Sequence, residues 1–197
     1  MIFLLRAKAK AGNHRDHPLL AFRSGREAEK RKWPSEMITE SFLLELATRF
    51  RKALDDADKS KWGIQFKHFP RGSCGDVPEM FGKYLLHTYG IDSFYVCGWS
   101  TDHTSHAWLE CGRLVIDITG DQFNDEDQFR DHPLRSVYIS PDRRWHARWF
   151  PKQEKSPLGK MLRNNAAQCN WAWGAAYRDL AAALGRTPAA TRDGHDC

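Results

Sequence analysis

Residues 105–119 read SHAWLECGRLVIDIT. The apolar runs on both sides of the glycine at position 112 predict two short strands, 105–111 and 114–119, joined by a tight turn. Successive side chains on a strand point to opposite faces, so the register of the hairpin decides which residues meet. The stretch therefore predicts an antiparallel hairpin that carries His106 on one strand and Asp117 on the other.

Two hairpin loops suit this glycine. A loop of residues 111–112 places His106 directly opposite Asp117. A loop of residues 112–113 instead pairs Asp117 with Trp108, so that the histidine lies on the diagonal, about 7–8 Å away and within reach of long side chains. Both registers put His and Asp on one face, whereas a three-residue loop would separate them. Burying an Asp among Val and Ile is costly unless it is paired, which favours the pairing.

A second motif, GSCGD at residues 72–76, precedes a helical pattern. The apolar residues of that pattern recur at helical spacing: Val77, Met80, Phe81, Tyr84 and Leu85. Asp76 is followed three residues later by Glu79, which predicts that Asp76 caps the helix, and Gly90 predicts its end. Cys74 is then expected in the turn that enters the helix, where the helix dipole lowers the pKa of a thiol.

In chain order, these residues supply a thiol nucleophile, a base and an orienting carboxylate. The motifs GSCGD (72–76), YVCG (95–98), HAWLE (106–110) and DIT (117–119) resemble the transglutaminase-like superfamily, which belongs to the papain-like group of cysteine enzymes. This resemblance implies an α+β fold in which a helix bearing Cys74 packs on a small antiparallel sheet bearing His106 and Asp117. It also implies that Cys74 is the nucleophile, that His106 is the base and that Asp117 orients the histidine.

The reaction that the resemblance implies is cleavage of an amide through an acyl-enzyme, as in a cysteine protease or deamidase acting on a protein or peptide. Two alternatives stay open. A transamidase or other acyltransferase would use the same triad with an amine in place of water, and a binding module would keep the fold without catalysis. The oxyanion or substrate site has three candidates, which are the N–H of Cys74 and the side chains of Gln65 and Trp108.

Neither a metal nor a cofactor is expected. Four residues of zinc-compatible types lie close together in the sequence: Cys97, His103, His106 and Cys111. Their spacing matches no standard zinc arrangement, and strand alternation puts His106 and Cys111 on opposite faces. Cys97 and Cys111 lie on predicted neighbouring strands and could form a disulfide. The odd total of five cysteines, without paired spacing, instead favours a reducing, cytoplasmic compartment with Cys74 as a free thiol.

Charge and periodicity divide the 197 residues into three parts. Residues 1–36 carry nine Lys or Arg and four acids, so this segment alone accounts for the whole formal net charge of +5. We expect this basic segment to be poorly ordered. Residues 37–184 form the predicted catalytic domain, and residues 185–197 a disordered tail. Nucleic-acid binding is not expected, because the basic residues are scattered along one arm. No stretch has the length that crossing a membrane requires.

Further elements follow from local pattern. An amphipathic helix opening at Met37 is predicted from one apolar stripe: Ile38, Phe42, Leu43, Leu46, Phe50, Ala53 and Leu54. Residues 134–140 predict a strand, and the aromatic residues of 143–150 are expected to pack in a core. Ser156 and Pro157 predict the N-cap and first residue of another helix. Residues 170–184 predict a last helix that stops at Gly185.

Overall fold

The computed structural model describes residues 38–166 and 173–185, with the backbone alone for residues 163–166. The predictions for residues 1–36 and for the tail after Gly185 lie outside this part of the chain. Within it, helices and strands follow one another in this order: α1 (Glu40–Asp56), α2 (Asp76–Tyr89), β1 (Phe94–Trp99), β2 (Ser105–Cys111), β3 (Leu114–Asp117), β4 (Tyr138–Ser140), α3 (Arg144–Trp149), β5 (Lys152–Pro157), α4 (Leu158–Ala166) and α5 (Gly174–Ala183). Short 3-10 helices cover Lys59–Lys61, Ile64–Phe66 and Gly120–Phe123.

The strands form one five-stranded sheet in the order β4-β3-β2-β1-β5, and each neighbouring pair is antiparallel. The α+β class is therefore confirmed. The helix predicted to start at Ser156 and Pro157 is wrong at that boundary, since both residues end the edge strand β5 and α4 begins one residue later. A proline is compatible with an edge strand, where its missing N–H can face outwards. The strand predicted over residues 134–140 is present only as β4.

The hairpin adopts the second of the two predicted registers. Leu109 pairs with Ile116 and Cys111 with Leu114, so residues 112–113 form the loop. Gly112 has φ 57°, the left-handed conformation that a two-residue loop with glycine first requires. In this register Asp117 lies level with Trp108 and diagonal to His106, on the same face of the sheet.

The ends of α1 and α2 agree only in part with those predicted from the sequence. Thr39 caps α1, because its Oγ1 accepts a hydrogen bond from the Phe42 N–H at 3.2 Å, so the helix starts after the predicted Met37. The predicted cap at Asp76 is wrong: no side chain caps α2, and Asp76 is its first residue. The chain turns helical earlier, since the Val77 N–H already bonds the carbonyl of Ser73. Gly90 ends α2 in a left-handed conformation, as predicted.

The two faces of the sheet bury different sets of residues. The face that we call the helix-covered face places Leu109, Leu114 and Ile116 in one apolar core with residues of α1, α2, α4 and α5. The opposite face, which we call the aromatic face, packs Val96, Trp108 and Val115 against rings from residues 123–150. Of the helices in the described ranges, none combines the length and the apolar character that crossing a bilayer demands.

Candidate active site

His106 and Asp117 meet on the aromatic face. His106 Nε2 lies 2.6 Å from Asp117 Oδ2, and both side chains have no exposed surface. The other carboxylate oxygen, Oδ1, accepts the backbone N–H of Thr119 at 3.0 Å. A short hydrogen bond therefore joins these two diagonal side chains, and both carboxylate oxygens of Asp117 have a partner.

The electrostatics of this pair favour the charged forms in spite of its burial. Burial opposes a charge on His106, but the charge and hydrogen bond of Asp117, with a smaller contribution from Cys74, raise the pKa of His106 to about 9. Burial likewise opposes ionisation of Asp117, yet His106 and the second histidine, His146, hold the pKa of its carboxyl well below the usual range. Each ionised group thus stabilises the other in a site without water contact.

Cys74 lies in the turn just before α2, as predicted, and is half-buried. Its sulfur lies 4.0 Å from the carbonyl oxygen of Ser105, at the start of β2. Burial opposes ionisation of the thiol, but a hydrogen bond and the charge of His106, followed by Gln122 and the N–H of Ala107, lower the pKa of Cys74. The N–H of Cys74 makes no hydrogen bond within the described residues, so it is a free donor beside the sulfur.

The neighbouring cysteines have the opposite electrostatics. Burial and the nearby Cys74 raise the pKa of Cys97, and burial with Asp92 raises the pKa of Cys111. Cys74, Cys97 and Cys111 are all free thiols, so the disulfide that Cys97 and Cys111 could have formed is not present. Of these three thiols, Cys74 is the one whose surroundings favour the thiolate, the reactive form.

The structure places the two side-chain candidates for the oxyanion or substrate site, Gln65 and Trp108, in different surroundings. The backbone carbonyl of Gln65 accepts the Ser73 Oγ–H at 2.7 Å, which ties it to the entrance of α2. Its Nε2 is buried, and a hydrogen bond from the Gln65 side chain partly offsets the burial that raises the pKa of Asp76. Trp108 is only 1% exposed, and its ring packs at a tilt against both His146 and His106, with centroids 4.5 and 5.7 Å apart.

Two site residues were missed by the sequence analysis. His146, on α3, places Nε2 2.9 Å from the same Asp117 Oδ2 that His106 contacts. Gln122, in the 3-10 helix after β3, places Nε2 3.3 Å from His106 Nδ1. Both are buried polar residues. Neither belongs to a motif with a characteristic spacing, and only the packing of residues 120–150 onto the aromatic face brings them to the triad.

His106, Asp117 and His146 are the described residues whose ligand atoms could approach one metal ion, since these atoms lie within 4.8 Å of one another. A metal held at about 2.0–2.2 Å by each would separate neighbouring ligand atoms by about 3.3 Å. The observed separations of 2.6 and 2.9 Å are instead those of charge-assisted hydrogen bonds. The geometry is that of a hydrogen-bonded network, and the described residues bring neither Cys97 nor Cys111 into this cluster.

The segment that follows Asp117 is held from the helix-covered side. Arg51, buried on α1, donates to the carbonyl of Ile118 at 2.9 Å and pairs through two nitrogens with Asp121, each at 2.9 Å. Gly120 leaves room for the carboxylate, because a Cβ built there would lie 2.7 Å from Asp117 Oδ2. Arg51 and Gly120 therefore position the segment that carries both Asp117 and Gln122.

Compared with known proteins, the chain matches no protein-family model, no curated protein and no solved structure. A function for this chain therefore has to come from the geometry of the site itself. That geometry consists of a half-buried thiol with a lowered pKa, a histidine held by a buried carboxylate, and hydrogen-bond donors around the sulfur. Such a set of groups is suited to nucleophilic attack on a carbonyl carbon.

Proposed function

We propose that this chain is a cysteine-dependent amide hydrolase, a protease or deamidase, that acts through an acyl-enzyme on Cys74, His106 and Asp117. The observation that carries this proposal is the buried 2.6 Å hydrogen bond between His106 Nε2 and Asp117 Oδ2. Because the carboxylate occupies Nε2, Nδ1 is the nitrogen left for the Cys74 thiol, whose hydrogen bond to His106 lowers its pKa. An oriented base in contact with a thiol is the arrangement that activates a cysteine nucleophile.

The papain-like, transglutaminase-like core is part of the same proposal. Three features support it: the turn that carries Cys74 leads directly into α2, α2 packs against the sheet, and β2 and β3 supply His106 and Asp117 in that order. The positive end of the α2 dipole adds to the stabilisation of a thiolate at Cys74.

The chemistry proceeds in two balanced steps. The Cys74 thiolate attacks the amide carbonyl carbon, and its charge passes to the carbonyl oxygen, which the free N–H of Cys74 can stabilise. The C–N bond then breaks as His106 Nδ1–H donates its proton to the leaving amine, and a thioester remains. Neutral His106 next takes a proton from water, the resulting hydroxide attacks the thioester, and the carboxylic acid leaves with Cys74 again a thiolate.

Acyl-enzyme formation tests the proposal directly. Wild-type protein is incubated with peptide aminomethylcoumarin amides and with glutamine peptides, and samples are acid-quenched for intact mass and peptide mapping. We expect an acyl adduct on Cys74 and turnover that falls about 10³-fold or more in Cys74→Ser. Cys97→Ser is the matched control, because it removes a half-buried thiol whose pKa is raised, and it should retain turnover.

The molecule that accepts the acyl group from Cys74, water or an amine, distinguishes a hydrolase from a transamidase. With millimolar hydroxylamine present, a hydrolase still releases mostly acid, whereas a transamidase releases mostly hydroxamate. Two results would contradict the proposal. The first is equal turnover in wild type and Cys74→Ser. The second is alkylation of Cys74 by iodoacetamide with the midpoint of an ordinary thiol, about pH 8.5, and with the same midpoint in His106→Ala. The second result would point to a binding module that keeps the fold.

A further inference from the structure

Gln122 is a buried primary amide that lies within the site and has no part in the triad. It belongs to the 3-10 helix Gly120–Phe123, five residues after Asp117, and is 9% exposed. A buried amide is costly unless its oxygen and nitrogen find hydrogen-bond partners. The partners of the Gln122 amide are Gly72, which lies shortly before Cys74 in the chain, and His106.

The first partner fixes the orientation of the amide. Gln122 Oε1 accepts the backbone N–H of Gly72, two residues before Cys74, at 3.4 Å. Because a backbone N–H can only donate, the oxygen of the amide has to face Gly72 and the NH₂ group has to face the site. There, Nε2 lies 3.3 Å from His106 Nδ1, the nitrogen that faces the thiol.

The hydrogen-bond acceptor that is available to this NH₂ group depends on where the proton shared by Cys74 and His106 lies. When Cys74 is a thiol and His106 is neutral, Nδ1 is an acceptor. When the proton has moved to Nδ1, that nitrogen no longer accepts, and the sulfur is the remaining acceptor. We propose that Gln122 is a catalytic residue whose side-chain NH₂ donates a hydrogen bond to the Cys74 thiolate and so stabilises the thiolate–imidazolium pair.

The inference rests on the proposed function, since it assigns a role at the same site. A hydrogen bond from Gln122 is among the contacts that lower the pKa of Cys74. The other titratable groups that interact with the Cys74 thiol are His106 on β2 and Cys97 and Tyr95 on β1. All three stay in place in the variants below, so a change in the titration of Cys74 reports on Gln122 itself.

The test is the pH profile of Cys74 alkylation by iodoacetamide from pH 4 to 9, followed by intact mass and peptide mapping. Gln122→Met keeps the size of the side chain and removes the donor. We expect it to move the midpoint up by about one pH unit, or about tenfold less thiolate at a fixed pH below the midpoint. Gln122→Glu places a carboxylate beside the sulfur and should move the midpoint further, because like charges repel.

Gln128→Met is the matched control, since Gln128 is an exposed glutamine of the same segment, and its profile should superimpose on wild type. Gln122→Asn keeps a shorter amide and should give a smaller shift than Gln122→Met. If Gln122 were merely structural, folded Gln122→Met would be alkylated with the wild-type profile, whereas the carboxylate of Gln122→Glu shifts the midpoint by its charge in either case. Superimposed profiles of wild type and folded Gln122→Met therefore overturn the inference alone. A wild-type midpoint near pH 8.5 instead overturns the proposed function.

Discussion

The helix-covered face and the aromatic face of the same sheet bury different chemistry. On the helix-covered face, Leu109, Leu114 and Ile116 share one apolar core with residues of four helices. On the aromatic face, the alternate positions include Glu110 and Asp117, both less than 10% exposed. The two strands thus send apolar residues to the helix-covered face, whereas the aromatic face receives ionisable residues as well as Trp108 and Val115.

The two faces differ in what burial contributes to stability. Apolar burial stabilises by about 25 cal/mol per Å² and requires no particular partner. A buried carboxylate stabilises nothing unless a partner is held at the correct distance, and an apolar replacement of an ion pair is often neutral or stabilising. Asp117, with two histidines on one oxygen, is therefore a feature that packing alone does not explain.

Removing the carboxylate should have the largest effect. Asp117→Ala leaves His106 and His146 buried without their acceptor, and we expect a loss of about 3–5 kcal/mol in the free energy of unfolding. The accelerated alkylation of Cys74 should disappear as well, because the pKa of His106 falls without the carboxylate. Urea denaturation and the alkylation profile measure the two effects.

Ile116→Ala is the matched variant, one residue earlier on β3 and on the helix-covered face. It should cost about 2–4 kcal/mol through the cavity alone, while the alkylation midpoint stays at the wild-type value. If both variants changed the alkylation profile to the same extent, the two faces would not be functionally distinct, and the comparison would fail.

Arg51 should give the next largest effect, because it is a charged residue of the helix-covered side that reaches the segment after Asp117. Arg51→Met removes the donors to Ile118 and Asp121 but keeps the length of the side chain, so we expect a loss of about 2 kcal/mol. Chemical denaturation measures this loss, and Cys74 alkylation should slow because the segment also carries Gln122. Lys52→Met, the next and exposed residue of α1, should leave both unchanged.

The smallest effect is a pH dependence that belongs to the aromatic face. Because the pKa of His106 is raised from 6.5 to about 9 in the folded state, its contribution to stability is complete below pH 6.5 and is lost as the pH rises through 9. Ionisation of Cys74 partly offsets this, so the expected net loss is about 1–2 kcal/mol over that interval. Denaturation at pH 6 and at pH 9 measures this loss of stability. It should appear in wild type and in Ile116→Ala. It should not appear in Asp117→Asn, which lacks the charge that raises the pKa of His106.

Much of the site could be predicted from the sequence because it depends on local rules. Strand alternation with a two-residue loop is enough to put His106 and Asp117 on one face in either register. A glycine-flanked cysteine before an amphipathic pattern is enough to place Cys74 at the entrance of α2. The α+β class follows from the same elements. The predicted Asp76 cap was wrong because helix ends depend on the few backbone bonds that form there, such as the bond from Val77 to Ser73.

The sequence by itself was enough to select the candidate thiol, base and carboxylate, because periodicity and turn chemistry act over a few residues. The tertiary structure decided which hairpin register forms, that β5 joins the sheet edge, and that Gln122 and His146 complete the site. The strand β5 lies 53 to 63 positions from its partners in β1, and Gln122 and His146 lie 50 and 29 positions from Gly72 and Asp117. Such contacts form only when the whole chain packs, and no local pattern records them.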